Sequence, residues 1–481
     1  MGVVLSKDDN NSMAAPILNG VVVSLPCLKP EAFATTLIGD VKELVVNNLI
    51  RLCLTQLKSI TCVASMAGLA LSIFVPAVSA APETARSADD FVDSIGVNTH
   101  LFYDNSVYYQ KYNEIIKPKL LELGIRHIRD SGTRNLNGYL ARLKELKTLG
   151  IRSTLVFDPR NTTPQGAVAL VKELGEDVVE AAQGPNEYDL SGDSNWVNTL
   201  RTYQQQLYQA IKGDSATSSL PVYSPTLTTD GAYNSVGDLS SFVDYAAMNN
   251  YYSGRNPGTP GWGDNGYGSL GWNVQLAQKD SGSKPMITTE TGYHNTVNTT
   301  DGHKGVPEDI AGKYVPRLCL EQFNYGISRT LIYEFISAYN DPNSLYTNFG
   351  LLHNDGSEKP AFAALKNLIR LVNDPGSNFT PGALNYTLSG DTTKIHHTLL
   401  QKRDGTFYLI LWQEVSGFDV DAKQYLNISN QQVTLNLNQP IAQATIYLPN
   451  NSTASVEQDT NPNQINLNVP DYPIVVKLQP Q

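Results

Sequence analysis

The sequence predicts an α/β protein in which a (β/α)8 TIM barrel is followed by a small all-β sandwich domain. Between residues 93 and 374, short apolar runs alternate with amphipathic stretches of helical period, as buried parallel strands and crossover helices do. After Pro375, short strand-like runs follow one another between Asn-, Pro- and Gly-rich turns, with no helical pattern. A doubly wound open sheet is the alternative for the first region, but no Gly-rich dinucleotide turn follows its first strand.

Eight strand-like runs make up the first region, and turn residues bound each of them. They span residues 94–101, 124–132, 151–159, 178–187, 221–229, 244–252, 284–292 and 328–337. Amphipathic helices are predicted over 135–150, 195–213 and 360–374, where apolar residues recur every three or four positions. Eight strand–helix units in a segment of this length match a (β/α)8 barrel, so residues 81–374 are assigned to it.

The second region, residues 375–481, predicts an antiparallel β-sandwich. A hairpin is expected over 394–414, where two apolar runs flank a Lys-Arg-Asp-Gly turn. Further strands are predicted at 431–438, 443–449, 464–469 and 473–479. Short strands at this spacing are typical of a sandwich of about 100 residues.

The first 80 residues read as a targeting segment. Residues from about 58 to 80 resemble a secretory signal, with a basic flank, a short apolar core and the small-residue site Val78-Ser79-Ala80. The chain before them is a surplus extension or precedes the true translation start. An uncleaved membrane anchor is the alternative, since about 20 apolar residues span a bilayer. We therefore expect a secreted, extracellular or periplasmic protein, with membrane anchoring as the second possibility.

Composition narrows the classes of partner. The chain of 481 residues carries 35 Lys+Arg against 46 Asp+Glu, a formal charge of −11, and has no run of basic residues. This balance argues against nucleic acid or an anionic membrane surface as a partner.

Three of the four cysteines precede residue 81, which leaves Cys319 alone in the rest of the chain. No Cys/His set has metal-site spacing, so we expect no metal. We also expect no cofactor and a monomer.

Two glutamates lie where predicted strands end. Glu187 follows the fourth strand directly after a Gly-Pro-Asn turn, and Glu290 ends the seventh. Reactive residues of such barrels gather at the C-terminal strand ends, and strands four and seven lie on opposite sides of the ring. Glu187 and Glu290 should therefore face each other across a cleft. Paired carboxylates in a cleft are what the cleavage of a glycosidic bond requires.

Other polar and aromatic residues are expected around the same mouth. His100 is either a sugar contact or a satisfied histidine, and Glu334 is either a third acid or a carboxylate hydrogen-bonded to Arg129. Trp262 and Trp272 lie in a Gly/Pro-rich loop over 254–272, which suits sugar stacking, although one of them can simply pack the loop onto the barrel. The full set of candidates beyond the glutamate pair is Asn186, Tyr251, Arg129, His100, Asn249, Trp262, Trp272 and Glu334, while Asp130 and Asp158 are expected to be subsite or structural groups.

Asn186-Glu187 after the fourth strand and Glu290 after the seventh resemble the signature of the 4/7 superfamily of retaining glycoside hydrolases, clan A. The resemblance implies that Glu187 is the general acid/base, that Glu290 is the nucleophile and that Asn186 contacts the sugar 2-hydroxyl. Tyr251 matches the tyrosine that donates a hydrogen bond to the nucleophile. Arg129 matches an arginine near the same carboxylate.

The stretch 349–369 is also similar to the last loop and closing helix of that clan. Two departures concern the substrate site. Asn249 stands where the clan often has a histidine, and the eighth strand carries Tyr333, Glu334 and Phe335 where the clan often has a tryptophan.

These observations predict a secreted glycoside hydrolase that acts on an oligosaccharide, polysaccharide or other glycoside by a two-step retaining mechanism with a glycosyl-enzyme intermediate. Two alternatives stay open. One is a non-catalytic secreted carbohydrate-binding protein on a TIM-barrel scaffold, because a fold alone does not fix function. The other is a transglycosylase that uses the same pair of carboxylates.

Overall fold

The computed structural model describes residues 81–134 and 136–481, so the predicted targeting segment lies outside the described residues. The first elements are two short strands, β1 (Glu83–Thr84) and β2 (Arg86–Ser87). Eight parallel strands then form the central sheet. They are β3 (Ile95–Asn98), β4 (His127–Ser131), β5 (Arg152–Val156), β6 (Val179–Gln183), β7 (Val222–Tyr223), β8 (Ala246–Asn249), β9 (Met286–Thr291) and β10 (Arg329–Ile332).

The sheet closes into a barrel. Its hydrogen-bonded order is β7-β6-β5-β4-β3-β10-β9-β8, and a parallel bridge between Tyr223 and Tyr245 joins the two ends. Small and branched side chains from β6 to β10, among them Ala181, Ala247 and Leu331, fill the interior. The predicted (β/α)8 architecture is therefore confirmed, with each of the eight expected runs contributing one strand.

Ten α-helices occur in the described residues, and most of them surround the barrel. They are α1 (Ala88–Asp93), α2 (Val107–Gln110), α3 (Lys117–Leu123), α4 (Tyr139–Thr148), α5 (Pro164–Leu174), α6 (Trp196–Gly213), α7 (Asp230–Val236), α8 (Leu270–Ser281), α9 (Glu308–Tyr325) and α10 (Pro360–Val372). Local sequence explains their ends: the Thr163 hydroxyl caps α5 by accepting from the Gly166 amide, and Gly124 ends α3 at a φ of 82°.

Antiparallel sheets follow the barrel, which confirms the predicted β-sandwich. The strands are β11 (Ala383–Leu384), β12 (Tyr386–Gly390), β13 (Ile395–Gln401), β14 (Phe407–Gln413), β15 (Phe418–Asp419), β16 (Gln424–Tyr425), β17 (Gln431–Leu437), β18 (Ile441–Tyr447), β19 (Ser455–Thr460), β20 (Gln464–Val469) and β21 (Ile474–Pro480). A six-stranded sheet has the order β19-β18-β21-β14-β13-β2, and a three-stranded sheet has the order β12-β17-β20. Their apolar faces enclose a second core that contains Leu409, Leu435 and Val476.

The start of the described chain pairs with the sandwich, although the sequence places it at the beginning of the barrel segment. β2 adds to the edge of the six-stranded sheet beside β13, and β1 pairs with β11. Tyr386 donates to the Glu83 carboxylate, which also contacts His397. Among the described helices, none is both long enough and apolar enough to cross a bilayer.

Candidate active site

The end of β6 fixes the backbone around Glu187. A Cβ on Gly184 would lie 1.9 Å from the Gln204 side-chain oxygen, so a larger residue there would require the buried Gln204 side chain to move. Asn186 then forms a parallel bridge to Thr226. Glu187 adopts a left-handed conformation with a φ of 47°, a region that residues other than glycine rarely occupy. The turn thus carries the carboxylate out of the strand direction at the barrel mouth.

An amide network orients the same carboxylate. The Asn186 Oδ1 accepts three hydrogen bonds, from Arg129 Nη2 (2.7 Å), Thr226 Oγ1 (2.8 Å) and Asn249 Nδ2 (3.1 Å). The Asn249 Nδ2 also donates to Glu187 Oε1 at 2.8 Å. Because three donors meet the Asn186 oxygen, its amide orientation is fixed and Nδ2 remains on the other side of the group.

Glu290 lies near the end of β9 and is 8% exposed. Arg129 Nη1 donates to Oε1 at 2.8 Å, and the Tyr251 hydroxyl donates to Oε2 at 3.0 Å. The structure thus brings together the two side chains that the resemblance places beside this carboxylate. Both of its oxygens accept hydrogen bonds in a buried setting, which holds the carboxylate in a single orientation.

Arg129 connects several strand ends. Besides Glu290 and Asn186, its guanidinium donates to the side chains of Asn98 at 2.8 Å and Gln183 at 2.6 Å. Asn98 ends β3 and Gln183 ends β6, so one buried cation joins β3, β4, β6 and β9. The polar residues at these ends therefore form one connected network.

The environment of Glu187 favours its protonated form. Burial, together with the negative charge of Glu290, raises the pKa of Glu187 to about 7, although the hydrogen bond from Asn249 partly opposes the shift. Below pH 7 Glu187 therefore carries a proton that it can donate. Glu290 instead accepts a charge-assisted hydrogen bond from Arg129.

Glu334 does not bind Arg129, so that alternative from the sequence is wrong. Its Oε2 accepts a hydrogen bond from the Tyr108 hydroxyl at 3.2 Å and lies 3.4 Å from His100 Nε2. Burial raises the pKa of Glu334 to about 8. Burial, together with the charge of Arg129, lowers the pKa of His100 to about 3. At neutral pH the proton therefore resides on Glu334, next to an uncharged imidazole.

Asp130 and Asp158 have local partners. The Thr99 hydroxyl and the Leu101 amide donate to Asp130, yet burial raises the pKa of this carboxyl to about 6. Asp158 forms a two-pronged pair with Arg160, at 2.7 and 2.6 Å. Both aspartates thus form hydrogen bonds with neighbouring parts of the protein at the edge of the cleft.

Two cavities flank the glutamate pair. The aromatic cavity, of about 570 Å³, is lined by Glu187, Leu227, Thr228, Tyr233, Met248, Asn249, Tyr251, Ser253, Trp262, Tyr267, Gly268, Trp272, Asn273, Leu276, Gly302 and His303. The polar cavity, of about 240 Å³, is lined by Asn98, Thr99, His100, Phe102, Tyr103, Arg129, Asp130, Ser131, Val156, Asp158, Arg160, Asn161, Asn186 and Glu290. Glu187 thus borders one cavity and Glu290 the other.

Trp262 and Trp272 both line the aromatic cavity, but they do not belong to a single loop as the sequence predicts. Trp272 lies in the first turn of α8, where the Ser269 hydroxyl accepts from its backbone amide, and it packs against the barrel core. Trp262 belongs to the irregular segment before α8. Tyr267 lies between them, with ring centroids 5.6 Å from Trp262 and 4.6 Å from Trp272.

Several site residues are missing from the sequence-based candidate set. Asn98 and Gln183 are buried polar residues at the last positions of β3 and β6, and a polar residue at a strand end is a signal that points to the barrel mouth. Tyr108 lies in the short helix α2 and His303 in a loop, and neither carries a comparable signal. His303 lines the aromatic cavity, and its ring centroid lies 4.9 Å from that of Tyr251.

Metal ligation is limited by existing contacts. Among the described residues, Glu321, His396 and Glu414 bring potential ligand atoms within 4.8 Å of one another, between the barrel and the sandwich. Arg317 and the Trp412 indole already donate to these carboxylates. The cluster is therefore satisfied by protein donors.

Comparisons with known proteins address the fold. No protein-family model and no curated protein matches the sequence. A family 39 glycoside hydrolase from Bacteroides cellulosilyticus WH2 matches with a TM-score of 0.55 and 16% identity, over 81% of this chain and 82% of that chain. The chain has the fold of a glycoside hydrolase. At this identity the likeness concerns architecture, and it confirms the predicted barrel with its trailing sandwich.

Weaker similarities were also found. An endo-β1,6-glucanase matches with a TM-score of 0.47 and 13% identity, over 83% of this chain and 93% of that chain. A family 17 β-1,3-glucanosyltransferase from Rhizomucor miehei matches with a TM-score of 0.39 and 16% identity, over 51% and 89%.

The shared environment of the pair leads to a first prediction. Replacing Glu290 by Gln removes the negative charge that raises the pKa of Glu187, so this pKa should fall below its value of about 7 in the unaltered protein. Carbon-13 NMR of labelled glutamate carboxyls measures it, with E187Q used for assignment. The exposed E457Q variant should leave the titration unchanged. An identical midpoint in E290Q would show that the two carboxylates are not electrostatically coupled.

Proposed function

We propose that the protein is a glycoside hydrolase that cleaves O-glycosidic bonds with retention of configuration. The observation that carries the proposal is the pairing of a proton-bearing Glu187 with a Glu290 held by Arg129 and Tyr251, at the junction of two cavities. A retaining hydrolase needs one carboxyl group that can donate a proton and a second that can attack. The architecture shared with a family 39 glycoside hydrolase supports the same conclusion.

The first step transfers the sugar to the protein. A Glu290 oxygen attacks the anomeric carbon and forms an ester bond, while the bond to the leaving oxygen breaks. Glu187 gives its proton to that oxygen, so the leaving group departs as a neutral alcohol. Tyr251 and Arg129 keep Glu290 in position before the attack. The chemistry uses these side chains and the substrate alone.

The second step returns the protein to its starting state. Once Glu290 is esterified its negative charge is gone, and with it one cause of the raised pKa of Glu187. Glu187, now ionised, takes a proton from water, and the resulting oxygen nucleophile attacks the anomeric carbon and displaces Glu290. The same carboxyl thus acts first as acid and then as base.

The two cavities indicate how a substrate lies. The leaving oxygen must be next to Glu187, so the leaving group occupies the aromatic cavity, where flat rings suit the apolar face of a sugar. The sugar that becomes attached to Glu290 occupies the polar cavity, whose volume of about 240 Å³ suits one monosaccharide. The open cavities on both sides argue against a purely structural role for the pair.

Transfer to a sugar is the second candidate function. A sugar acceptor bound in the aromatic cavity would stand in the same place as the leaving group and as the attacking water. Product analysis at rising acceptor concentration separates the two outcomes, because transfer gives larger oligosaccharides and hydrolysis gives free sugar.

Glu290→Gln should reduce turnover by at least about 10⁴-fold, because the carboxylate that attacks is lost. A panel of 4-nitrophenyl β-D-glucoside, galactoside, mannoside, xyloside and glucuronide, together with oligosaccharides, identifies the substrate. Proton NMR of the first product of the unaltered protein should show the anomeric configuration of the substrate. Near-normal turnover in E290Q, or an inverted product, contradicts the proposed nucleophile. The exposed E457Q variant is the matched control.

Glu187→Gln should discriminate between leaving groups. A sugar leaving group needs the proton, whereas 2,4-dinitrophenolate departs without it, so glycosyl transfer to Glu290 should slow about 10²–10⁴-fold for oligosaccharides and far less for the dinitrophenyl glycoside. Pre-steady-state release of dinitrophenol measures this step separately from deglycosylation. Equal losses for both substrates would contradict the acid role.

Export and a monomeric state belong to the same proposal. The signal-like segment that ends before Ala81 supports export. Expression of the full chain in a secreting host should release protein whose intact mass corresponds to a start at Ala81. Retention of the whole chain in the membrane fraction would favour the anchored alternative.

A further inference from the structure

The wall of the aromatic cavity that contains Trp262 reaches the sandwich domain. The segment 254–269 leaves the barrel after β8 and contacts residues that follow β14. Asn256 Nδ2 donates to Glu414 Oε1 at 2.7 Å, and the Gly258 amide donates to the same oxygen at 2.9 Å. Ser416 completes the contact by donating to the Asn256 side-chain oxygen at 2.8 Å. We call this set of contacts the loop anchor.

The Glu414 carboxylate is itself immobilised. Arg317, on α9, donates from Nη2 to Oε1 at 2.6 Å and from Nε to Oε2 at 2.9 Å. The Trp412 indole also donates to Oε2, at 2.8 Å. Although burial penalises the charge, Arg317 and the other donors hold the pKa of Glu414 below its ordinary value. The Glu414 carboxylate at the centre of the loop anchor is therefore a fixed anion and not a mobile surface group.

The loop fits closely against this anion. A Cβ added to Gly258 would lie 2.4 Å from Glu414 Cγ. Arg255, which directly precedes Asn256, stacks on Trp262 with its guanidinium carbon 4.5 Å from the ring centroid. Its Nη2 also lies 3.8 Å from the Asp421 carboxylate of the sandwich. The sandwich thus touches both the base of the segment and the residue that supports the tryptophan.

We infer that the sandwich sets the position of the leaving-group wall through Glu414, which acts as a positioning residue for the aromatic cavity. The inference rests on the proposed function for its kinetic consequence, because only that function assigns the leaving group to this cavity. Glu414 does not line either cavity, and its effect passes through Asn256 and Gly258 to Trp262. The sandwich is then part of the specificity apparatus in addition to packing on the barrel.

The variants that test this inference leave the buried ion pair intact. Asn256→Ala removes one donor, while Arg317, Trp412 and the Gly258 amide still satisfy Glu414, so the fold is retained. Gly258→Ala pushes the loop away from Glu414 by its Cβ. Gly213→Ala is the matched control, because a Cβ there meets no atom within 4 Å.

Hydrogen exchange followed by mass spectrometry measures how well the backbone amides of the loop itself are protected. Peptides from 254–269 should exchange at least about tenfold faster in N256A and G258A, and peptides from the barrel strands should be unchanged. This measurement does not require activity, so it tests the loop anchor even if the protein hydrolyses no glycoside of the panel. Equal loop exchange in G258A and G213A would overturn the inference.

Kinetics then separate positioning from general damage. For a glycone that the unaltered protein accepts, N256A and G258A should raise KM for the disaccharide about tenfold, while kcat/KM for the glycosyl fluoride, whose leaving group is too small to reach Trp262, changes less than threefold. Equal losses on both substrates, or no loss on either, would overturn the role of the anchor in leaving-group binding. No turnover of any substrate by the unaltered protein would instead contradict the proposed function and leave the exchange result to decide on the anchor.

Discussion

The cleft depends on one buried cation. Arg129 donates to Glu290, Asn186, Asn98 and Gln183, and its charge is balanced by the Glu290 carboxylate. Removing one partner of such a buried pair leaves an uncompensated charge, at a typical cost of about 3–5 kcal/mol. Because the same guanidinium holds Glu290 and the residue before Glu187, a shift of Arg129 moves both members of the pair. The barrel supplies the strands, and this guanidinium joins their ends.

Environment alone gives two identical side chains different chemistry. Glu290 accepts from a cation and a phenol, whereas Glu187 accepts one neutral amide hydrogen bond and faces the charge of Glu290. Burial and the charge of Glu290 raise the pKa of Glu187, and this suits Glu187 to the role of proton donor in the proposed function. Glu334 follows the same rule, since burial without a cation keeps it protonated beside His100.

The barrel and the glutamate pair could be predicted from local sequence because both leave local signals. Apolar runs mark buried strands, and a break into Gly-Pro-Asn-Glu marks a strand end. The regular part of the fifth strand is shorter than its run because Pro225 has no amide hydrogen to donate, which interrupts the pairing between Tyr223 and the bridge at Thr226. β19 was not predicted, because its side chains are mostly exposed and show no alternation. Nor does any local pattern announce that β2 pairs with β13, more than 300 residues later.

The side chains that shape the cleft are harder to predict than those that react in it. The sequence places Trp272 in a loop because glycines surround it, whereas the Ser269 cap begins a helix there. The position of Trp262 depends on Asn256 and Gly258, which contact a carboxylate 156 or more residues away in the chain. Such contacts have no periodicity, so only the folded chain reveals them. A barrel can therefore keep its reactive pair while a change at the loop anchor alters which leaving groups fit, and this is one physical reason why a shared fold does not determine a shared substrate.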